Sequence, residues 1–354
     1  KIEFTFDDEG NIVAPPFRND IEHIADISEE VARFYGYHNI PNRMLSGVAV
    51  GKLTDWQKYI RSMNEALIAC GCTETSTFSF ISPRAYDKIN LDKNDPQRES
   101  VVIRNPLGED TSIMRTTILP SMLDVLSHNY NHKNEKACLY EIGTVYQPTE
   151  KGKLPIESQK AAIGIYGGNA DYYSLKGIVE KVLDMLNTKE YDVVPVKDDP
   201  SFHPGRTARF VVDGKVLAEL GEIHPTVAEN YNIGTRVYVA EIDVNTAYEN
   251  RQPGKTHKPL PKFPAVTRDL AFVCDREIPV LSLEKAIGEA VGKTLEKVKL
   301  FDVYEGSQIE KGKKSVAFNI RMRSADKTLT DDEADAAMKR VIKSLDKLGI
   351  SLRS

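Results

Sequence analysis

Four carboxylates near the start of the chain have the spacing of a cation site. On a helix, Asp26, Glu29 and Glu30 fall within one small arc, because residues three and four apart are neighbours on its surface, and Asp20 precedes them. Carboxylate oxygens are the ligands that hard cations such as Mg²⁺ prefer. The same residues also fit an N-cap, Asp20, followed by a solvated acidic face, so spacing alone leaves both interpretations open.

Two histidines lie next to prolines at predicted strand ends. His203 is in HPGR and His224 is in EIHP, and neither has a serine, a cysteine or a paired acid at a catalytic spacing. Turn formation is therefore favoured over catalysis. The sequence contains no P-loop, no GxGxxG and no HExxH motif. We therefore predict no catalytic residue in this chain.

Near the end of the chain, three arginines and a tyrosine could contact a nucleic acid. Arg268, Arg321 and Arg323 could bind phosphates, and Tyr304 could stack on an unpaired base. An ordinary solvated sheet face, with Tyr304 packed on a turn, fits the same residues. Residues 262–354 contain 18 Lys and Arg against 15 Asp and Glu, whereas the whole chain has a net charge of −5. Only this last part has the sign of a nucleic-acid contact.

Composition limits the class of protein. With 354 residues, the chain is long enough for two or three domains, and its 41% hydrophobic and 28% charged residues are typical of a soluble globular protein. The four cysteines have no zinc-site spacing and suit a reducing cytoplasm. Because Lys1 begins within a predicted strand, we expect the chain to be part of a longer protein.

The first segment, residues 1–45, is predicted to contain one helix from Ile21 to about Tyr37, with Asp20 as its N-cap. The helical period places its apolar side chains on one side. These side chains are Ile21, Ile24, Ile27, Val31, Ala32 and Tyr35. The carboxylates Asp26, Glu29 and Glu30 fall on the opposite side, so we expect them to face away from the core.

The central segment, residues 46–251, is predicted to be α+β. A helix capped by Thr54 carries apolar residues at helical spacing and ends before Gly71. Further helices are expected near residues 117–129 and 174–187, among a series of predicted strands that includes ACLYEIGTVYQ, KAAIGIYGG and KVLAELGEI. A proline-rich linker at residues 252–260 ends this segment.

The last segment, residues 261–354, has the order β-α-β-β-α-β of a ferredoxin-like sandwich. Thr330 and Glu333 form a capping box for the second helix. The third strand alternates between an apolar face and a face that carries Ser315, Ala317, Asn319, Arg321 and Arg323. The two helices would cover the apolar face, which leaves the polar face open.

Strings along nearly the whole chain resemble the β subunit of bacterial phenylalanyl-tRNA synthetase. The segment APPFRNDIEHIADISEEVARFYGYHNIP is similar to the end of a small domain that precedes the catalytic-like module of that family. MRTTILPSMLDVLSHNYN, LYEIGTVY, FHPGRTA and LGEIHP are similar to the module, which has a class II synthetase fold. FPAVTRDLAF, LFDVYEG and TLTDDEADAAMKRV resemble the ferredoxin-fold anticodon-binding domain of the family.

The resemblance implies an (αβ)₂ heterotetramer that uses ATP to join phenylalanine to tRNA(Phe), with the active site and the ATP in the α subunit. Gln147 stands where the catalytic subunit has an ATP-binding arginine, and a neutral amide cannot replace a guanidinium. By resemblance, Asp20, Asp26, Glu29 and Glu30 match the Mg²⁺ ligands of a site shared with the α subunit. Tyr304 matches the tyrosine that stacks on the first anticodon base.

The chain departs from the full-length β subunit in what precedes Lys1. The oligonucleotide-binding-fold domain and the editing domain of the family are not in this sequence. Two other hypotheses stay open: a free-standing RNA-binding scaffold, and a class II enzyme with an atypical nucleotide site.

Overall fold

The structure is a computed structural model that describes residues 3–44, 47, 51–150, 152–254, 257, 259–306 and 308–353. The chain forms two compact units, residues 1–53 and 54–354. The domain bounds at 45, 251 and 260 stay predictions. Leu45 and Ser46 lie outside the described residues, as do Lys255, Thr256 and Lys258 of the linker and Ser354 at the predicted end. Where the structure describes the chain, no helix has the length and apolar character needed to cross a membrane.

Regular elements alternate along the chain. The α-helices are α1 (Ile24–Tyr35), α2 (Asp55–Ala69), α3 (Ala85–Lys88), α4 (Leu119–Asn131), α5 (Tyr172–Met185), α6 (Pro225–Asn230), α7 (Val244–Glu249), α8 (Val280–Val291) and α9 (Asp331–Asp346). The strands are β1 (Thr5–Phe6), β2 (Ile12–Val13), β3 (Thr73–Glu74), β4 (Phe80–Ile81), β5 (Ile113–Met114), β6 (Lys136–Gln147), β7 (Ile156–Gly167), β8 (Asp192–Pro195), β9 (Phe202–Val212), β10 (Lys215–Ile223), β11 (Val237–Asp243), β12 (Val266–Asp275), β13 (Leu295–Tyr304), β14 (Lys313–Met322) and β15 (Ser351–Leu352).

The first unit contains the β1–β2 hairpin and α1, and it corrects two predictions. The N-cap of α1 is His23, not Asp20, because the Asp26 carboxylate accepts from the backbone N–H groups of Glu22 at 2.9 Å and His23 at 2.7 Å. Glu30 is buried, whereas Ile24 on the predicted core side is 73% exposed. The expectation that all the carboxylates face away from the core is therefore wrong for Glu30.

The second unit is built around a seven-stranded sheet with the order β3-β6-β7-β11-β10-β9-β8. Only the β3–β6 pair is parallel. One apolar cluster includes side chains of α2, α5 and α7, and a second includes side chains of α4 and α6. Alternate residues of β6 and β7 enter different clusters, so the sheet is covered on both faces. The predicted α+β class is confirmed.

Helix α2 follows its sequence signals closely. Thr54 Oγ1 accepts from the backbone N–H of Gln57 at 3.2 Å, and Gln57 Oε1 accepts from Thr54 N–H at 2.9 Å. This reciprocal capping box satisfies two backbone groups that the first turn leaves unpaired. Met63 and Leu67 of its inner face are fully buried.

The last part of the chain confirms the predicted ferredoxin-like order. Strands β12 to β15 form an antiparallel sheet with the order β13-β14-β12-β15, and α8 and α9 supply side chains to one apolar cluster. Phe318 and Ile320 of β14 are fully buried in it. On the other face of β14, Ser315 and Ala317 are also buried, at 2% and 8% exposure. The polar face is therefore covered locally at one end.

Candidate functional site

The open face of the four-stranded sheet consists of four cross-strand rows. Each row takes one residue from β12, one from β14 and one from β13. The rows are Val273, Ser315 and Tyr304, then Ala271, Ala317 and Asp302, then Asp269, Asn319 and Lys299, then Thr267, Arg321 and Lys297. The face therefore combines small side chains with the carboxylate of Asp302 beside Tyr304, and it is cationic at the opposite end.

Tyr304 stands at the end of β13. The next row contains Asp302 of the same strand together with Ala271 and Ala317, which have no side chain beyond Cβ. A Cβ added at Gly306 would overlap the Tyr304 hydroxyl, so the ring lies directly over that glycine. A half-buried ring packed against a glycine can offer one π face to a planar group.

Arg353, which the sequence argument missed, contacts this end of the sheet. Its backbone N–H donates to the carbonyl of Ala271 at 2.8 Å, which extends the pairing of β15 with β12. Its guanidinium donates to Ser315 Oγ at 3.2 Å and lies 5.5 Å from the Tyr304 ring centroid. This distance is within the range of a cation–π contact. The arginine thus fixes the edge of the Tyr304 surface and brings a positive charge to it.

Arg321 and Arg323 lie at the far end of the face. Arg321 is six residues from Ser315 along β14, which is about 20 Å at the rise of a strand. Both arginines pair with Glu296, at 3.2 Å and 2.8 Å, and Arg323 is only 17% exposed. The structure therefore does not bring them together with Tyr304, although Arg321, at 49% exposure, is accessible to a longer ligand.

Arg268 lies on the wrong side of the sheet for the predicted contact. It pairs with Ile320, which is a core position of β14, and its guanidinium contacts Asp331 at 2.7 Å and Asp335 at 3.2 Å in α9. The sequence prediction grouped Arg268 with Arg321 and Arg323 as possible phosphate contacts. The strand register places the Arg268 side chain on the sheet face that the helices cover. Arg268 is therefore not part of the candidate surface.

Three of the four candidate carboxylates of the first unit are already engaged. Arg18 contacts both Asp20 at 2.6 Å and Glu30 at 2.7 Å, and Glu30 also pairs with Arg33. Hydrogen bonds from Arg18 lower the pKa of Asp20 to about 2, and those from Arg18 and then Arg33 lower the pKa of Glu30. Asp26 accepts from backbone N–H groups, which lowers its pKa.

This donor set does not fit a divalent cation as it is arranged. A guanidinium lies between Asp20 and Glu30, where a metal ion would need their oxygens. Glu29, the fourth candidate, is exposed. Among the residues that the structure describes, no group of three or more His, Cys, Asp or Glu side chains is placed to hold a metal.

A buried ion pair occupies one face of the seven-stranded sheet. Arg115 Nη2 contacts Glu141 Oε1 at 2.8 Å, and the two side chains are 2% and 5% exposed. Thr77 Oγ1 bridges them, at 2.8 Å from Arg115 Nη1 and 2.6 Å from Glu141 Oε2. A Cβ at Gly143 would overlap the guanidinium. The network is internally satisfied, so its evident role is to hold strand β6, which ends in GTVYQ.

The two histidines have local partners. His203 Nδ1 accepts from the backbone N–H of Gly205 at 3.0 Å, and His224 Nδ1 accepts from that of Thr226 at 3.2 Å. Each therefore organises a turn. Gln147 ends β6 and is exposed.

Three family models match consecutive parts of the chain. Residues 1–37 match the tRNA synthetase B5 domain, residues 40–244 match the phenylalanyl tRNA synthetase beta chain CLM domain, and residues 261–353 match the ferredoxin-fold anticodon binding domain. Together they account for most of the sequence.

Curated relatives agree with these models. The phenylalanine--tRNA ligase beta subunit of Clostridium tetani is 44% identical over 360 aligned residues, which cover 100% of this chain and 45% of that protein. The protein of the same name from Symbiobacterium thermophilum is 39% identical over 97% of this chain and 40% of its own length. The chain thus spans less than half the length of these relatives.

Solved structures include synthetases of low sequence identity. The crystal structure of pyrrolysyl-tRNA synthetase from Desulfitobacterium hafniense aligns with a TM-score of 0.46 and 13% identity, over 64% of this chain and 75% of that one.

Proposed function

The chain belongs to the phenylalanyl-tRNA synthetase β-chain family, and we propose that it is the part of a phenylalanine–tRNA ligase that binds the tRNA(Phe) anticodon and scaffolds the catalytic α subunit. The Tyr304 surface is the observation that supports this proposal most directly. A half-buried aromatic ring packed against Gly306, with Arg353 at its edge, suits one unpaired base. Lys297, Lys299 and Arg321 then lie along the path of the neighbouring phosphates.

The proposed partner is the α subunit of the ligase in an (αβ)₂ heterotetramer in the cytoplasm. ATP binding and amino-acid activation are assigned to that subunit. Two observations support this division. By resemblance, Gln147 stands where the family's catalytic subunit has an arginine. The guanidinium of Arg115 is already paired with the carboxylate of Glu141. Electrostatic stabilisation of phosphate charge needs cations that are free to act on it.

Magnesium shared with the α subunit, through Asp20, Asp26, Glu29 and Glu30, stays a prediction. The ion pairs of Arg18 mean that Asp20 and Glu30 must be released before either could bind a cation. We expect the double substitution Asp26→Ala and Glu30→Ala to weaken α association or to shift the Mg²⁺ dependence of the assembled enzyme. If assembly and Mg²⁺ titration are both unchanged, these carboxylates have no such role.

Reconstitution tests the proposed function. We expect the chain alone to show no ATP–pyrophosphate exchange, and to co-purify with a matching α subunit and restore aminoacylation of tRNA(Phe). Exchange by the chain alone would instead support an atypical class II enzyme. Anticodon binding without any α association would support a free-standing RNA-binding scaffold.

A further inference from the structure

Cys72 and Cys138 bring two sulfur atoms within 3.2 Å of each other in the second unit. Thr73 of β3 pairs with Leu139 of β6. Cys72 and Cys138 each lie one position before these two residues, so they are neighbours across the strand pair. The two cysteines are 66 residues apart in the sequence, so the fold alone brings them together. Both are free thiols.

The register of β3 with β6 places the two cysteine backbones at a separation that suits a disulfide. Paired neighbouring strands lie about 4.8 Å apart, and bridged cysteines have Cα atoms roughly 4.4–6.8 Å apart. Cys72 is held by the end of α2: its N–H donates to the carbonyl of Leu67 at 3.1 Å, across a turn in which Gly71 has a φ of 84°. A residue with a side chain would be strained at that φ. Only the side chains need to move to close the bond.

We infer that Cys72 and Cys138 form a reversible thiol–disulfide site that is oxidised by peroxide-class oxidants. Access is through Cys138, which is partly exposed, whereas Cys72 is only 5% exposed. The contact between the two sulfur atoms lowers the pKa of Cys138 and raises that of Cys72, and since Cys138 is also the more exposed thiol, it is the attacking sulfur.

The chemistry balances in two steps. The Cys138 thiolate attacks one oxygen of hydrogen peroxide, the O–O bond breaks, and a sulfenic acid forms while the departing hydroxide takes up the proton that the thiol had lost. The Cys72 sulfur then attacks the Cys138 sulfur, the S–O bond breaks, and the Cys72 proton leaves with the hydroxyl group as water. Two thiols are oxidised, one peroxide is reduced and two waters form.

The Cys72–Cys138 disulfide would link the edge strand of the seven-stranded sheet covalently to its neighbour. Strand β3 has two residues and pairs only with β6, and the next backbone contact is Thr75 N–H to the Tyr140 carbonyl at 2.7 Å. A crosslink at Cys72 anchors the end of α2 and β3 to β6. Oxidation is therefore expected to slow hydrogen exchange at the Thr75 amide.

Thiol counting and peptide mapping test the inference on the purified chain. Hydrogen peroxide should reduce the count of reactive thiols in the denatured chain from the four of the sequence by two, and dithiothreitol should restore them. Digestion without reduction should give one linked peptide pair, Cys72 with Cys138. The matched control is Cys274→Ser, which removes a buried thiol of the ferredoxin-like part and should still lose two thiols.

Cys138→Ser should give no linked peptide pair. If Cys138→Ser does not fold, Cys72→Ala can be used instead and should also give no linked pair. A Cys70–Cys138 linkage in the wild-type chain would overturn the assignment. So would oxidation of the thiols to sulfinic acids without any linked peptide.

Discussion

Asp20 and Glu30 share one guanidinium, and this determines how the first unit should respond to acid. Arg18 lowers the pKa of Asp20 from 3.8 to about 2 and also lowers that of Glu30 from its usual 4.5. Because both pKa values are lower in the folded chain, the ion pairs contribute fully above the ordinary pKa values and are lost as the pH falls through the folded ones. We expect this contribution to disappear between about pH 4.5 and pH 2.

Carboxyl NMR titration of the chain measures these pKa values directly. Arg18→Gln should return the pKa of Asp20 toward 3.8 and raise that of Glu30. An Asp20 that titrates at its ordinary pKa in the wild-type chain would contradict the ion-pair geometry.

Arg353 is expected to support the Tyr304 surface without being indispensable to it. Arg353→Ala removes a cation–π contact and the hydrogen bond to Ser315, so affinity for an anticodon stem-loop should fall by about 0.5–1 kcal/mol. Fluorescence anisotropy with the labelled RNA measures this change. The matched control is Arg268→Ala, which removes the same charge from the helix-covered face and should leave affinity unchanged.

An equal loss of affinity in both variants would mean that only the net charge of the domain matters.

The sequence identified Tyr304 through a resemblance, but it could not identify Arg353. The position of Arg353 depends on the register of β15 against β12, which begins eighty-five residues earlier in the chain. Glu30 was misplaced for a similar reason, since Arg18 is not on its helix.

At the scale of elements, the Arg115–Glu141 pair predicts a large cost for breaking one partner. Glu141→Ala leaves a buried guanidinium without its counter-charge, so the free energy of unfolding should fall by about 3–5 kcal/mol. Urea unfolding monitored by circular dichroism measures the change. Replacing both partners, as Arg115→Met with Glu141→Leu, should cost much less because no buried charge is left unpaired. A double variant as unstable as Glu141→Ala would refute this explanation.

Periodicity predicted the elements well where one face is buried. The β-α-β-β-α-β order of the last part was predicted correctly, and the Thr330–Glu333 capping box of α9 was confirmed. The predicted cap of α1 was wrong because Asp26, inside the first turn, accepts from the backbone N–H groups of Glu22 and His23, so that the helix begins at Ile24. The sequence does not show that Asp20 is already paired with Arg18.

At the scale of the whole molecule, the last part of the chain is attached to the seven-stranded sheet by ion pairs at its surface. Lys285 of α8 contacts Asp192 of β8 at 2.6 Å, and Lys197 contacts Glu277 at 3.4 Å. All four side chains are largely exposed, so each pair contributes little to stability. The sequence predicted both folds but gave no indication of this contact, because the charges involved are about 80 to 93 residues apart.

The most direct measurement is the affinity of the chain for a tRNA(Phe) anticodon stem-loop when Tyr304 is changed. Tyr304→Ala removes the stacking surface and should weaken binding by about 1–3 kcal/mol, which is roughly 5-fold to 150-fold in Kd. Tyr304→Phe keeps the π face and should bind nearly as well as the wild-type chain. If the affinity of Tyr304→Ala is within error of wild type, this sheet face does not bind the anticodon.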